Sequence, residues 1–139
     1  MNNQEWMAYN RQVVEEFRTH GGKVQGWPPL ILLTTRGARS GQMRVYPLIA
    51  VPDGDHYIAI ASAGGASKNP QWYYNLRAYP DVTVEVGKET FQATARLLTG
   101  KQREEAFTKA VAVFAPYGEY QKKTTREIPV FLLERPVSS

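Results

Sequence analysis

Residues 81–97 read DVTVEVGKETFQATARL, and the pattern in this stretch decides the fold class. Val82, Val84 and Val86 alternate with Thr83 and Glu85. Gly87-Lys88 then interrupts, and Phe91, Ala93, Ala95 and Leu97 alternate on the return. A period of two sends successive side chains to opposite faces of a strand. A turn this short can join antiparallel neighbours only, because a parallel crossover needs a dozen residues or more.

Upstream of this hairpin, Leu30–Thr35 is a short apolar run ending in two threonines. Arg44–Val51 and His56–Ala61 flank Pro52-Asp53-Gly54-Asp55, which carries the turn residues of a hairpin. Val130–Leu133 supplies a last strand. Helical periodicity appears in three places. Over residues 3–19, Trp6, Tyr9, Val13 and Phe17 recur at spacings of three and four with Met7 and Val14 beside them, and Gly21-Gly22 stops the helix. Residues 1–22 therefore form an N-terminal helix. It packs on the strands or on a subunit neighbour, or else serves as a flap over a ligand or a contact with a membrane surface. Asn69-Pro70 reads as an N-cap followed by Pro at the first helical position of a helix reaching Ala78. After Gly100, residues 101–114 place Phe107, Val111 and Phe114 on one face. The expectation is a mainly β, α+β fold: one domain over 1–139, with about six mostly antiparallel strands in a small barrel and inserted helices.

The 139 residues carry a formal charge of +4 and include no cysteine. The sequence pI is about 9.4. That balance suits an anionic ligand, nucleic acid or an anionic membrane surface. The basic residues are dispersed and most aromatics fall on predicted helices, which speaks against nucleic acid as a partner. Without cysteine there is no disulfide framework, thiolate nucleophile or Cys-ligated metal. His20 and His56, the only histidines, lack partners at motif spacing for a metal site or a catalytic triad. No apolar stretch approaches 18 residues, and Met1–Arg11 has no apolar signal region, so a cytoplasmic location is expected.

Three segments can carry chemistry. Residues 34–44, TTRGARSGQMR, combine three arginines, three hydroxyls and two glycines in the link between two strands. Arg binds phosphate bidentately, and Gly37 and Gly41 allow close backbone approach. Residues 61–72, ASAGGASKNPQW, lead from a strand through a small-residue loop into a helix start, where free N–H groups suit an anion or a carbonyl oxygen. Residues 114–120, FAPYGEY, put Tyr117 and Tyr120 three apart, each with a hydroxyl able to donate a proton or a hydrogen bond. Read alone, the first and third segments are as compatible with a solvated hairpin and packing tyrosines, and the second reads more often as a capped helix with an aromatic core face.

Taken together, "LLTTRGARSGQMRVYPL", "ASAGGASKNPQWYYNL", "YPDVTVEV" and "PYGEYQKKTTREIPV" resemble the deazaflavin-dependent nitroreductase family, whose members use coenzyme F420. The resemblance covers residues 30 to 133. It implies a split β-barrel of the FMN-binding, flavin-reductase type and a hydride transfer from F420H2 to a quinone or another electron-poor acceptor, such as an enone, lactone or nitro compound. On matching positions it implies that Arg39, Ser40 and Arg44, with Gly41 between them, bind the cofactor's phosphate. Ser62, Gly64, Lys68 and Trp72 would lie along the cofactor. Tyr117 and Tyr120 would face the acceptor and, with Ser62, form the catalytic set. This chain carries Ala38 and Ala63 where many relatives have a basic residue, and Phe114 where some have a third tyrosine. The cofactor carries the hydride chemistry, so neither a protein nucleophile nor a metal is required. FMN on the same barrel, and a non-enzymatic cofactor or haem-type carrier, are the rival readings. A monomer or a homodimer is compatible with the sequence.

Overall fold

The 81–97 hairpin forms as its alternation predicts. Strand β5 (Asp81–Val86) pairs antiparallel with β6 (Glu89–Leu97), with Val84 opposite Phe91 and Val82 opposite Ala93. The computed structural model describes residues 3–136. The remaining elements are α1 (Asn3–Thr19), β1 (Leu30–Arg36), β2 (Met43–Ile49), β3 (Pro52–Asp53), β4 (His56–Ile60), a 3-10 turn (Ala63–Gly65), α2 (Gln71–Ala78), α3 (Gly100–Val113), α4 (Pro116–Lys123) and β7 (Val130–Glu134).

The seven strands form one sheet in the order β2-β1-β5-β6-β7-β4-β3, with every pairing antiparallel. The two edge strands, β2 and β3, are neighbours in the chain, separated by Ala50 and Val51 alone. In a flat sheet six strand spacings would hold those edges ~29 Å apart. The two-residue link spans at most ~11 Å. The sheet is therefore curled until its edges approach, which is the split-barrel architecture. The expected hairpin across Pro52–Asp55 forms in part. Asp53 pairs with His56, Pro52 with Tyr57, and the Ile58 N–H donates to the Val51 carbonyl at 2.9 Å. Residues 43–49 pair with β1 instead. One extended run thus serves both edges of the curl, bending at Ala50-Val51, and its alternation is the same whichever strand lies beside it.

Strand β1 is buried on both faces, which explains why LILL is continuous rather than alternating. Inside the curl, Ile31 and Leu33 meet Val82, Val84, Ala93, Ala95, Ala59, Phe131 and Leu133. The small alanines leave room for Trp72 and Leu76 of α2, which plug the interior; the Trp72 and Phe131 rings lie 6.0 Å apart. Outside, Leu30, Leu32, Ile58, Ile60 and Val130 pack against α1, α3 and α4.

The second half of α1 is core. Phe17 is 1% and Val13 6% exposed, and Arg18 makes a two-point ion pair with Glu85 of β5 at 3.0 and 2.8 Å. Trp6 and Met7, near its start, are about half exposed. A flap role for residues 1–22 is therefore confined to the first turns, and residues 1 and 2 lie outside the described range. Two helix details differ from expectation. Pro70, not Asn69, occupies the cap of α2, because the Asn69 side chain is taken by a tertiary partner described below. The deepest face of α3 carries Arg103, Ala106 and Ala110, with Phe107, Val111 and Phe114 flanking it. Among the described residues no helix is long and apolar enough to cross a membrane.

Candidate active site

Strand β1 is linked to β4 through four antiparallel pairings, by way of β5, β6 and β7, so β1 and β4 run in the same direction. Their C-terminal ends leave the same rim of the curl. From β1 comes the basic turn at 37–42, and from β4 comes the small-residue loop at 61–70. Strand β7 runs the opposite way and enters at this rim, bringing α4 and residues 124–129 with it. Three segments far apart in sequence thus converge on one edge of the barrel.

The basic turn is closed on itself. Gly37 N–H donates to the Gln42 carbonyl at 2.8 Å, Gly41 N–H to the Gly37 carbonyl at 3.0 Å, and Gln42 N–H to Ser40 Oγ at 3.1 Å. A Cβ at Gly37 would lie 2.6 Å from Ser40 Oγ and 3.2 Å from the Gln42 carbonyl oxygen, and Gly41 has φ +72°, so a side chain at either position is strained here. Arg39, Ser40 and Arg44 are exposed. Arg44 donates to the Gln42 side chain at 3.0 Å. Among the described residues no salt bridge neutralises Arg39, Arg44 or Lys68. Segments 37–44 and 61–70 contain no carboxylate. The rim is therefore an uncompensated cationic surface, which fits a ligand bearing a phosphate and an acidic tail.

Beneath the turn lies Asn75, fully buried. Its Oδ1 accepts from Ala38 N–H at 3.0 Å and from Gln71 Nε2 at 3.3 Å, and its Nδ2 donates to Thr35 Oγ1 at 2.9 Å. Asn75 ties the turn to both β1 and α2. Tyr46 lies beside it. Burial raises the pKa of the Tyr46 hydroxyl above the ordinary phenol value, and hydrogen bonding to Asn75 and the charge of Arg44 partly offset the rise.

The second loop follows an unusual backbone path. Ser62 is right-handed (φ −77°, ψ −36°), and Ala63, Gly64 and Gly65 then have φ of +48°, +66° and +84°. Ala63 is the one non-glycine with positive φ among the described residues. A right-handed residue followed by a left-handed one turns successive N–H groups into a concave nest that receives oxygen or negative charge. Two internal bonds close the turn, Gly65 N–H to the Ser62 carbonyl at 2.9 Å and Ala66 N–H to the Ala63 carbonyl at 3.1 Å. Gly65 lies directly against α4. Arg126, just beyond α4, also reaches the loop and donates to Ala61, Ser62, Ala66 and Asn69.

Of the remaining candidate residues, Lys68 is exposed on the same loop. Trp72 is 4% exposed and belongs to the barrel interior, so its ring backs the rim from inside rather than forming an open wall. Tyr117 and Tyr120 share a face of α4, with ring centroids 6.2 Å apart at 76°. Their depths differ. Tyr117 is core, 6% exposed, and burial followed by the neighbouring Tyr120 pushes its hydroxyl well above the usual phenol range. Tyr120 is half-buried: its backbone lies against Gly65, and its ring packs beside Tyr117 at the edge of the core. Asn75 and Arg126 are the residues that reading the sequence for chemistry passes over. A polar residue at the core spacing of Trp72 and Leu76 is the signal for Asn75. Arg126 stands inside the quoted "TTREIPV" segment, and no local pattern marks its partners. Two small clefts, of about 240 and 170 Å3, lie elsewhere, one between the end of α1 and the β5–β6 turn and the other between α3 and the β3–β7 region.

Comparison with known proteins agrees with this arrangement. The sequence matches the family "F420H(2)-dependent quinone reductase" over residues 6–135. It is 38% identical over 118 residues to F420H(2)-dependent quinone reductase Rv1261c of Mycobacterium tuberculosis, covering 83% of this chain and 79% of that protein. Among solved structures, one described as F420-H2 Dependent Reductase (FDR-A) superposes with a TM-score of 0.73 and 44% identity, over 81% of this chain and all of that one. Another, described as a domain-swapped dimer, gives a TM-score of 0.75 and 40% identity over 96% of this chain and all of that one. A match spanning nearly the whole chain, on a barrel whose rim is cationic, settles the family: this chain belongs to the F420H(2)-dependent quinone reductases, oxidoreductases whose cofactor is coenzyme F420.

Proposed function

We propose that the cationic rim holds reduced coenzyme F420 and that the protein reduces a quinone at this site. The observation that carries the reading is the convergence of an uncompensated basic turn, a nest of free amides and Tyr120 on one edge of the barrel. When bound, the reduced deazaflavin supplies a hydride; the quinone gains that hydride and one proton and leaves as a hydroquinone. Arg39, Ser40 and Arg44 grip the phosphate, with Gly41 letting the backbone come close. Lys68 balances further negative charge. The amides around Ser62 and Gly64, with the Ser62 hydroxyl, hold the polar edge of the ring. Trp72 supports that surface from the interior. Hydride arrival places negative charge on an acceptor oxygen, and Tyr120 donates a hydrogen bond or a proton to it. Tyr117, buried behind Tyr120, keeps its proton and fixes the ring above it.

Titration of the protein with F420 and with FMN, followed by tryptophan fluorescence, tests the cofactor. F420 is expected to bind more tightly, and tighter FMN binding refutes the assignment. Arg39→Ala and Arg44→Ala are each expected to weaken F420 binding by about 1.5–3 kcal/mol, less at high salt. With a quinone acceptor, Tyr120→Phe lowers turnover at least about tenfold, the lower part of the range for general-acid help, while F420 affinity changes little. Enones, unsaturated lactones and nitro compounds complete the acceptor screen. For the assembly we propose a homodimer, supported by the domain-swapped relative; light scattering in solution reads it directly. The exposed Trp6 and Met7 are the residues through which a peripheral membrane contact would run, and vesicle sedimentation with and without them tests that contact.

A further inference from the structure

We propose that Arg126 is a positioning residue that aims the backbone amides of the 61–69 loop at the cofactor, an inference that rests on reading this rim as the deazaflavin site. Arg126 lies between α4 and β7 and makes four hydrogen bonds to one loop. Its Nε donates to the Ala66 carbonyl at 2.9 Å, Nη2 to the Ser62 carbonyl at 2.8 Å, and Nη1 to the Ala61 carbonyl at 3.3 Å and to Asn69 Oδ1 at 2.7 Å. All four acceptors are neutral, and no carboxylate within salt-bridge distance accompanies them among the described residues. The guanidinium is not half of an ion pair. It gathers carbonyls.

Gathering carbonyls has a directional consequence. In a planar trans peptide the C=O and the following N–H point in opposite directions. With the carbonyls of Ala61, Ser62 and Ala66 drawn to Arg126, the N–H groups of Ser62, Ala63 and Ser67 turn to the opposite side of the loop. None of these three amides donates to another backbone carbonyl among the described residues, whereas Gly65 and Ala66 N–H close the turn internally. Their partners are left to a ligand or to water. The loop would not hold this shape by itself. The left-handed run from Ala63 to Gly65 includes a non-glycine, and Arg126 clamps it on both sides, at Ser62 before and Ala66 after. Arg126 is itself held in place. Gln121 Nε2 donates to its carbonyl at 2.8 Å, and Gln121 Oε1 accepts from Ile128 N–H and from the buried Arg103. Only a planar guanidinium reaches four acceptors spread in this way; an ammonium presents the same charge from a single point.

Two measurements test the proposal. Amide hydrogen exchange is read in the ligand-free protein, comparing wild type with Arg126→Gln. The Gly65 and Ala66 amides are expected to exchange faster in the variant, while those of β5 and β6 stay protected. F420 affinity is then measured by tryptophan fluorescence at a temperature where both proteins are folded. Arg126→Gln and Arg126→Lys are each expected to bind about tenfold more weakly or worse, the scale of one charge-assisted hydrogen bond. Millimolar guanidinium is expected to restore affinity to Arg126→Gly, an effect opposite to its action as a denaturant. Wild-type affinity in either folded variant overturns the proposal, as does exchange that rises uniformly across the barrel without guanidinium rescue. Failure of the wild-type chain to bind F420 instead sinks the cofactor site, and the exchange comparison still reports on Arg126 alone.

Discussion

A methyl group at position 65 would have to occupy space that α4 already fills. An ideal Cβ built on Gly65 lies 2.9 Å from the Tyr120 carbonyl oxygen and 3.1 Å from both Tyr120 Cα and Lys123 Cβ. Two of these three atoms are helix backbone, which cannot swing aside as a side-chain tip can. Position 65 also has φ +84°. The left-handed conformation costs an alanine ~1–2 kcal/mol, and forcing extra volume into a packed contact adds ~1–3 kcal/mol. Gly65→Ala is thus expected to destabilise by about 2–5 kcal/mol. At ~2–4 °C per kcal/mol for a domain of this size or somewhat larger, the melting temperature falls by roughly 4–20 °C. Gly64→Ala is the control, because position 64 has φ +66° and nothing within 4 Å of its Cβ. It bears the conformational cost alone, ~1–2 kcal/mol. Urea unfolding of both variants isolates the steric part as their difference. F420 affinity and quinone turnover, measured where both are folded, show whether moving α4 off the loop displaces Tyr120. If Gly65→Ala costs no more than Gly64→Ala, the loop does not rest against α4, and the assembly of the rim described above is wrong.

Tyr117 links stability to alkaline pH. Its folded pKa is raised above the ordinary value of 10.0, so between the two values the native state holds a proton that the unfolded state has lost. Stability is therefore full below about pH 10 and falls above it by up to ~1.4 kcal/mol per pH unit, and Tyr117→Phe should flatten that limb of a stability–pH curve. Phe17→Ala is expected to cost ~3–5 kcal/mol in denaturant unfolding, whereas removal of residues 1–10 should leave the barrel folded; equal effects would contradict the division of α1 into a core half and an exposed half. Asn75→Ala leaves Ala38 N–H and Thr35 Oγ1 without a partner and should cost about 2–6 kcal/mol at ~1–3 per buried group. The same variant should speed exchange of the Ala38 amide, and an unchanged rate would show that Asn75 does not anchor the basic turn.

Much of this architecture is legible in the sequence because strand and helix periods are local. The 81–97 alternation, the stripe from Tyr9 to Phe17 and the glycines of the two loops each follow from neighbours a few residues apart. The same holds for the family segments, whose order and spacing point to the cofactor before any contact is known. What the tertiary structure decided is what depends on partners distant in the chain. Residues 44–51 look the same whether they pair with β1 or β4, since alternation records which face is buried and not which strand lies alongside. Trp72 is expected along the cofactor until the curl of the sheet encloses it, and Tyr117 and Tyr120 look equivalent until α4 settles one deep in the core and leaves the other half-buried at its edge. Arg126 and Asn75 carry no local signature, because their importance lies in carbonyls and amides contributed by loops roughly 40 to 65 residues away in the chain. Hydrogen bonds of that kind are made by backbone groups every residue possesses, so only the folded chain shows which of them an arginine or an asparagine collects.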